Sequence, residues 1–225
     1  MVDARPERGR SALFMADVPS RVRGDAAHAV LDYWFGPDTD DARTFARHKA
    51  RWFAGGADVD RDIATRFGDL HARAARGELD AWAAGSGGRL ALILLFDQLS
   101  RNLYRGTPDA FAFDERAFDL AESGITLGLD GGLPLVERVF FYMPYQHVES
   151  LPAQQRSVAL FESLAASEAP PHVRATLESF AGYARQHRDI IARFGRFPHR
   201  NRVLERSSTA EEQRFLDGGA PTFGQ

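Results

Sequence analysis

The apolar segment at residues 90–96 places the strongest limit on how this chain can fold. A segment that is apolar on every side has to be buried all round, as a central helix or as an internal strand. The residues that follow favour the helix, because Leu99 and Leu103 continue the three- and four-residue spacing that begins at Leu92. We therefore predict a buried helix that Gly106-Thr107-Pro108 brings to an end.

The rest of the chain repeats the helical spacing from Asp25 onward, and no stretch alternates as a strand would. We therefore predict an all-α fold, an antiparallel array of about eight to ten helices. One helix should begin near Asp58 or Asp60 and run past Trp82, and Thr209 with Glu212 forms a capping box for the last. The other predicted helices cover about 42–53, 109–123, 133–149, 151–167 and 172–194. We expect Trp34, Trp52, Phe53 and Trp82 to pack in the core.

The composition fits one domain, which we place at residues 25–225, after a disordered leader at 1–24. The chain has no cysteine, which excludes disulfides, thiolate metal sites and cysteine nucleophiles and fits a reducing, cytoplasmic setting. No run approaches the roughly 18 apolar residues of a membrane span. A net charge of -3 gives no general attraction to membranes or nucleic acid, so we expect neither as a partner.

Several polar residues occupy positions where a helix would place its core. His187 interrupts the apolar stripe of its helix, and it could be a satisfied core histidine or a base in a pocket. Asp97 and Arg101 share a face at the end of the apolar helix. They could form an intrahelical ion pair, or Asp97 could orient Arg101 or Asn102 towards a ligand anion, since a guanidinium can donate two hydrogen bonds to a carboxylate or phosphate.

Two further segments carry concentrated polar chemistry. Pro144 should kink or break its helix, just before His147 and Glu149. Residues 194–201 mix aromatic rings, arginines, a histidine and an asparagine around a Gly and a Pro, which is typical of a site more than of a plain surface turn. Between Arg185 and Arg206 the chain has seven arginines and only two acidic residues. That stretch could be a solvated basic face or a site for an anionic small molecule.

Short motifs in a fixed order give a family resemblance. They are Tyr33-Trp34-Phe35-Gly36, Trp52-Phe53, Gly77-Glu78-Leu79-Asp80-x-Trp82, Asp97-Gln98-x-x-Arg101-Asn102, Met143-Pro144-x-x-His147-x-Glu149, the stretch from His187 to Asn201, and Ser208-Thr209-x-Glu211-Glu212-x-x-Phe215-Leu216. Over about residues 27–224 they resemble the bacterial DUF924 family, a domain of unknown function. The resemblance implies an all-helical, tetratricopeptide-like arrangement and no particular reaction. The family usually has Phe-Pro where this chain has Leu99-Ser100, so here the helix can continue through residue 100.

The leading hypothesis from the sequence is an internal polar pocket that binds a small anionic molecule through Arg101 and Arg200. If the protein is an enzyme, His187 or His199 is the expected base, with Asp97 or Glu149 to orient it. The residues expected around the pocket are Asp97, Arg101, Asn102, His147, Glu149, His187, His199, Arg200 and Asn201.

Two alternatives remain open. A tetratricopeptide-like scaffold would bind a protein or peptide partner on a concave surface, and the polar cluster would then be structural. A metal-dependent or histidine-based hydrolase is the other, although the spacing of the histidines and acids matches no standard metal motif, and we assign no metal ligand. The sequence names no cofactor.

Overall fold

The computed structural model describes residues 26–38, 40–221 and 223, and this part of the chain is all-helical, as predicted. It contains nine helices of eight or more residues and two single-turn helices, α5 and α8. The expected leader at residues 1–24 lies outside the described residues. The helices are α1 (Ala26–Phe35), α2 (Asp41–Phe53), α3 (Ala57–Ala75), α4 (Ser86–Ile93), α5 (Ser100–Leu103), α6 (Asp114–Thr126), α7 (Leu135–Tyr142), α8 (Pro144–His147), α9 (Leu151–Ala165), α10 (Pro171–Phe194) and α11 (Ala210–Asp217).

The predicted buried helix is confirmed and forms the centre of the fold. It runs from α4 through a π-helical turn, Leu94–Leu99, into α5, and its apolar residues from Leu90 to Phe96 have essentially no exposed surface. Helices α1, α6 and α7 contact α4, and α3 contacts α5. The π-helical turn differs from the plain α-helix that the spacing predicts. Such turns are rare and are frequent at functional sites, and this one contains Asp97.

The chain departs from the prediction after α3. That helix ends at Ala75 and does not run past Trp82, because Gly77 adopts a φ of +83° that a right-handed helix cannot include. A separate 3-10 turn, Asp80–Ala84, follows. Phe53 was also predicted wrongly as a core residue, since half of its surface is exposed. It follows the last buried ring of α2, Trp52, and α2 ends there.

The segments around Pro144 and at the carboxyl end position the polar residues. The expected break occurs at Pro144, where α7 gives way to the single turn α8, and the backbone becomes extended at Val148. Helices α9 and α10 pair along their length, and α8 packs between α6 and α9. The predicted capping box of Thr209 and Glu212 is present at the start of α11. His147 therefore lies at the end of α8, opposite the buried π-helical turn.

Candidate functional site

A cavity of about 570 Å³ lies between α2, α5, α8 and α10. Small-molecule sites commonly measure about 300–1,000 Å³. Helix α10 lines the cavity from Ala175 to His187, which corresponds to about 18 Å at about 1.5 Å per residue. This length can hold an extended small molecule.

The cavity wall combines aromatic rings with cations. Its apolar part includes Phe45, Trp52, Phe53, Met143, Phe180 and Phe223. Four cationic side chains and two imidazoles also line it, namely Lys49, Arg51, Arg101, Arg105, His147 and His187. Among the described residues, no aspartate or glutamate reaches the wall. The lining therefore presents cations without carboxylates, although Arg101 and Arg105 have carboxylate partners just outside it.

The cations of the rim differ in how far they are neutralised. Lys49 is exposed on α2 and has no hydrogen bond or ion pair to any described residue. Arg51 lies over the Tyr33 ring, with 4.4 Å between its Cζ atom and the ring centroid, and donates to the Tyr33 carbonyl. Arg105 forms an ion pair with Asp60 at 2.8 Å. Lys49 therefore has the greatest freedom to meet an anionic ligand.

The innermost imidazole, His147, is held by Asp97. The two are joined at 2.5 Å between His147 Nδ1 and Asp97 Oδ1, and Gln98 donates to the other Asp97 oxygen at 2.6 Å. Burial by itself would raise the pKa of Asp97, but contact with the His147 imidazole and the Arg101 guanidinium holds it below the usual range. Burial lowers the pKa of His147, against the opposing effect of Asp97. A carboxylate that accepts from Nδ1 fixes the neutral tautomer and leaves Nε2 as the basic nitrogen.

Asp97 also belongs to a buried network of four charges, whose other members are Arg101, Asp114 and Arg200. Asp114 bridges the two arginines, at 2.9 Å from Arg101 Nη1 and 3.1 Å from Arg200 Nη1. Arg101 also donates to the Asp97 carbonyl at 2.5 Å, and Arg200 to the His147 carbonyl at 3.0 Å. Two guanidinium groups and two carboxylates balance one another. The network thus satisfies buried charges and positions both the carboxylate and the backbone of the Asp97–His147 pair.

His187 is the second imidazole of the inner cavity, and it is 5 % exposed. Its Nδ1 atom lies 2.8 Å from the carbonyl of Tyr183, one helical turn earlier in α10. The rings of Phe197 and Phe223 pack against it, and the His147 ring centroid is 6.1 Å away. Burial lowers the pKa of His187 to about 3, so this imidazole is neutral at pH 7.

The structure brings only part of the predicted site together. Arg101, Asn102, His147 and His187 line the cavity, and Asp97 contacts His147 from behind the wall. The other predicted residues, Glu149, His199, Arg200 and Asn201, are not among those that line it. Arg200 lies in the buried charge network, and Asn102 donates to Asp60 at 2.8 Å.

Glu149 and Asn201 instead fasten the segment that follows α10. Glu149 accepts from the Phe197 amide at 2.7 Å and forms an ion pair with Arg206 at 2.6 Å. Burial alone would raise the pKa of Glu149, but these donors hold it below its usual range. Asn201 donates to Ser208 and accepts from Arg206. These bonds join the loop before α9 to the segment that follows α10. Glu149 and Asn201 therefore have the structural role that the scaffold hypothesis gives to the polar cluster.

His199 and the basic stretch are also accounted for by packing and pairing. The His199 ring lies beside Phe197 and Phe223, and burial lowers its pKa to about 4. Six of the seven arginines between Arg185 and Arg206 lie within ion-pair distance of a carboxylate. Most of the positive charge of the stretch is therefore paired with carboxylates of the described residues.

Sequence reasoning missed the cations of the cavity rim, Lys49, Arg51 and Arg105. One signal was present, because Lys49 is the single lysine of the sequence. Residue type alone could not show that α2 packs opposite α10 and faces the same space. Among the described residues, no three histidine, aspartate or glutamate side chains gather as a metal site requires, and no helix is long and apolar enough to span a membrane.

A family model described as a bacterial protein of unknown function (DUF924) matches residues 30–220. The chain belongs to the DUF924 family. A solved structure of a protein of unknown function from Agrobacterium tumefaciens resembles this DUF924 protein with a TM-score of 0.72 and 38% sequence identity. The match covers 86% of this chain and 97% of that one. No curated protein matches the chain.

Proposed function

We propose that this DUF924 protein binds a small organic anion in the cavity between α2, α5, α8 and α10. One observation carries the proposal: the described wall contains four cations and no carboxylate. A solvated anion loses part of its hydration when it enters a pocket, and charge-assisted hydrogen bonds from the wall compensate for that loss.

The distribution of charge and exposure supports an orientation for the ligand. Lys49, Arg105 and the half-exposed rings of Phe53 and Tyr183 lie at the rim, whereas Trp52 and its apolar neighbours are buried. The charged group would therefore bind near the rim, with Lys49, Arg51 and Arg105 as donors. An apolar or aromatic body would extend inward over the buried rings. The arginines proposed from the sequence, Arg101 and Arg200, stay with their buried carboxylates in this arrangement.

Two experiments test the proposal. A thermal-shift screen first selects the strongest probe among carboxylates and phosphate esters that carry an aromatic or aliphatic body. Calorimetric titration then measures its affinity. A ligand that binds the native state raises its apparent stability. We expect Lys49→Gln to weaken binding about three- to tenfold through loss of one charge-assisted contact. Its melting temperature should not change, because Lys49 has no partner among the described residues.

The matched control is Arg47→Gln, which removes one exposed cation from the same helix at a position outside the cavity wall. Its affinity should stay at the wild-type value, and binding should weaken as salt is added. If neither Lys49→Gln nor Arg105→Gln changes the affinity for the anion, the proposed anion site is wrong.

A second candidate function rests on the 2.5 Å contact between Asp97 and His147. An imidazole held in one tautomer by a buried carboxylate can act as a general base through Nε2. Nε2 would take a proton from water while the water oxygen attacked the carbonyl carbon of a bound ester. The tetrahedral intermediate would then break its bond to the alcohol oxygen, which would take the proton from Nε2 and leave as the free alcohol. A panel of carboxylate-bearing esters, assayed with wild type and His147→Gln, tests this. If the His147→Gln variant hydrolyses the esters at the wild-type rate, His147 is not the base.

A further inference from the structure

Both inner histidines present the same kind of nitrogen to the cavity. An ionised carboxylate and a backbone carbonyl can only accept hydrogen bonds. Since Asp97 contacts Nδ1 of His147 and the Tyr183 carbonyl contacts Nδ1 of His187, each Nδ1 atom carries the hydrogen. Each Nε2 atom of a neutral ring is then a hydrogen-bond acceptor.

The two Nε2 atoms are the unassigned acceptors of the inner cavity. Neither has a hydrogen-bond partner among the described residues, and neither is among the buried nitrogen and oxygen atoms that lack a partner. Both rings line the cavity, with 6.1 Å between their centroids. An acceptor that faces a cavity binds water or a donor group of a ligand, because leaving it unpaired after desolvation is costly.

The terminal donors of Arg101 and Gln98, by contrast, are already engaged. Arg101 donates to the Asp97 carbonyl and to Asp114. The Gln98 amide donates to Asp97 and contacts the Met143 sulfur. The inner end of the cavity therefore offers two imidazole acceptors, whereas the rim offers positive charge and the ammonium donor of Lys49. Such a polarity selects a molecule with an anion at one end and a donor at the other.

We propose that the ligand of this site is a hydroxy- or amino-substituted organic anion, whose donor group binds Nε2 of His147 or His187. The inference rests on the proposed anion-binding function and adds the chemical class of the ligand. We call the Nε2 atoms of His147 and His187 the donor subsite, because they accept a hydrogen bond from a donor group of the ligand. Such a subsite discriminates against analogues that lack the hydroxyl, because the histidine nitrogens then stay unpaired.

A matched pair of probes tests the donor subsite. 3-(4-Hydroxyphenyl)propanoate and 3-phenylpropanoate differ only in the phenolic hydroxyl and share the carboxylate and the ring. Calorimetric titration at pH 7 should give at least about fivefold tighter binding of the hydroxylated probe, which corresponds to one neutral hydrogen bond. In His187→Phe and His147→Gln the preference should shrink, while 3-phenylpropanoate keeps its affinity.

His187→Phe is the safer variant, because the residues around position 187 on this helix face are apolar. His147→Gln keeps an amide that can donate to Asp97, and circular dichroism establishes whether it is folded. Equal affinity of wild type for the two probes overturns the donor subsite and leaves the anion site standing. Absence of binding for both probes and for every other carboxylate and phosphate ester overturns both proposals. Binding that requires added Zn²⁺ also overturns the donor subsite, in favour of a metal site.

Discussion

Replacement of Asp114 by Asn should strongly destabilise the fold. The side chain of Asp114 is 8% exposed, and those of Arg101 and Arg200 are 12% and 5% exposed. Asn preserves the shape of Asp114 and removes its charge. Arg101 would still have Asp97, but Arg200 would keep no carboxylate within ion-pair distance and would have only neutral acceptors, such as the His147 carbonyl. One buried positive charge would then be uncompensated.

The expected cost follows from the distances and the burial. At about 3 Å and an effective dielectric constant of about 20, each charge pair with Asp114 is worth about 5 kcal/mol before desolvation is counted. Removing one partner of a buried ion pair destabilises proteins by about 3–5 kcal/mol. For a chain of this size each kcal/mol lowers the melting temperature by about 2–4 °C, so we expect a decrease of about 6–20 °C.

Urea unfolding followed by circular dichroism measures the effect. Asp109→Asn is the control, because Asp109 is an exposed aspartate five residues earlier that has no partner in the network. The double variant Asp114→Asn with Arg200→Met restores charge balance, so its destabilisation should be smaller than the sum of the two single effects by about 0.5–3 kcal/mol. If Asp114→Asn is within about 1 kcal/mol of wild type, the four charges do not form a coupled buried network.

Two further predictions concern the buried histidine and two glycines. The pKa of His187 is about 3 in the folded state, against about 6.5 in an unfolded chain, so its contribution to stability is full above pH 6.5 and is lost as the pH falls towards 3. His187→Leu should therefore lose less unfolding free energy than wild type between pH 7 and pH 4, and equal losses in urea titrations would contradict the assignment. Gly88→Ala should destabilise, because a Cβ atom at Gly88 would collide with the Trp82 carbonyl. Gly68→Ala, in a helix and with no atom within 4 Å of the added methyl group, should instead stabilise by about 0.5–1 kcal/mol. Equal melting temperatures for the two alanine variants would refute this difference.

The fold was largely readable from the sequence because burial and periodicity are local signals. The apolar run at residues 90–96 forms the central buried helix, and the Thr209 capping box starts α11 as predicted. The errors occur where one backbone angle or one contact decides the outcome. Gly77 ends α3 early through its positive φ, and the π-helical turn at Leu94–Leu99 has no hydrophobic period of its own. Ser100 supports that turn, since its hydroxyl donates to the Leu95 carbonyl and contacts His71 at 2.8 Å.

The site was less readable, because its chemistry depends on which charges meet. The sequence placed Asp97 and His147 around one predicted pocket, but it named His187 or His199 as the base that Asp97 would orient. It did not pair Asp97 with His147, since they are fifty positions apart. It assigned the anion to arginines whose partner, Asp114, lies on a different helix. Lys49 stands out as the single lysine of the sequence, but residue type alone does not show where it lies. Only the packing of α2 opposite α10 places it at the cavity rim.

The buried charge network itself favours a role beyond stability. Two arginines and two aspartates at this depth give no general advantage over apolar residues of similar volume, because desolvation offsets most of their attraction. What apolar residues could not provide is an ionised Asp97 held 2.5 Å from Nδ1 of His147 and an Arg200 bonded to the His147 carbonyl. Both contacts act on the one imidazole that this carboxylate orients towards the cavity. If the network served stability alone, an apolar set replacing Asp97, Arg101, Asp114 and Arg200 together would fold as well as wild type and bind the anion probes with unchanged affinity. We expect such a variant to fold and to lose the preference for the hydroxylated probe, because His147 would no longer have a fixed tautomer.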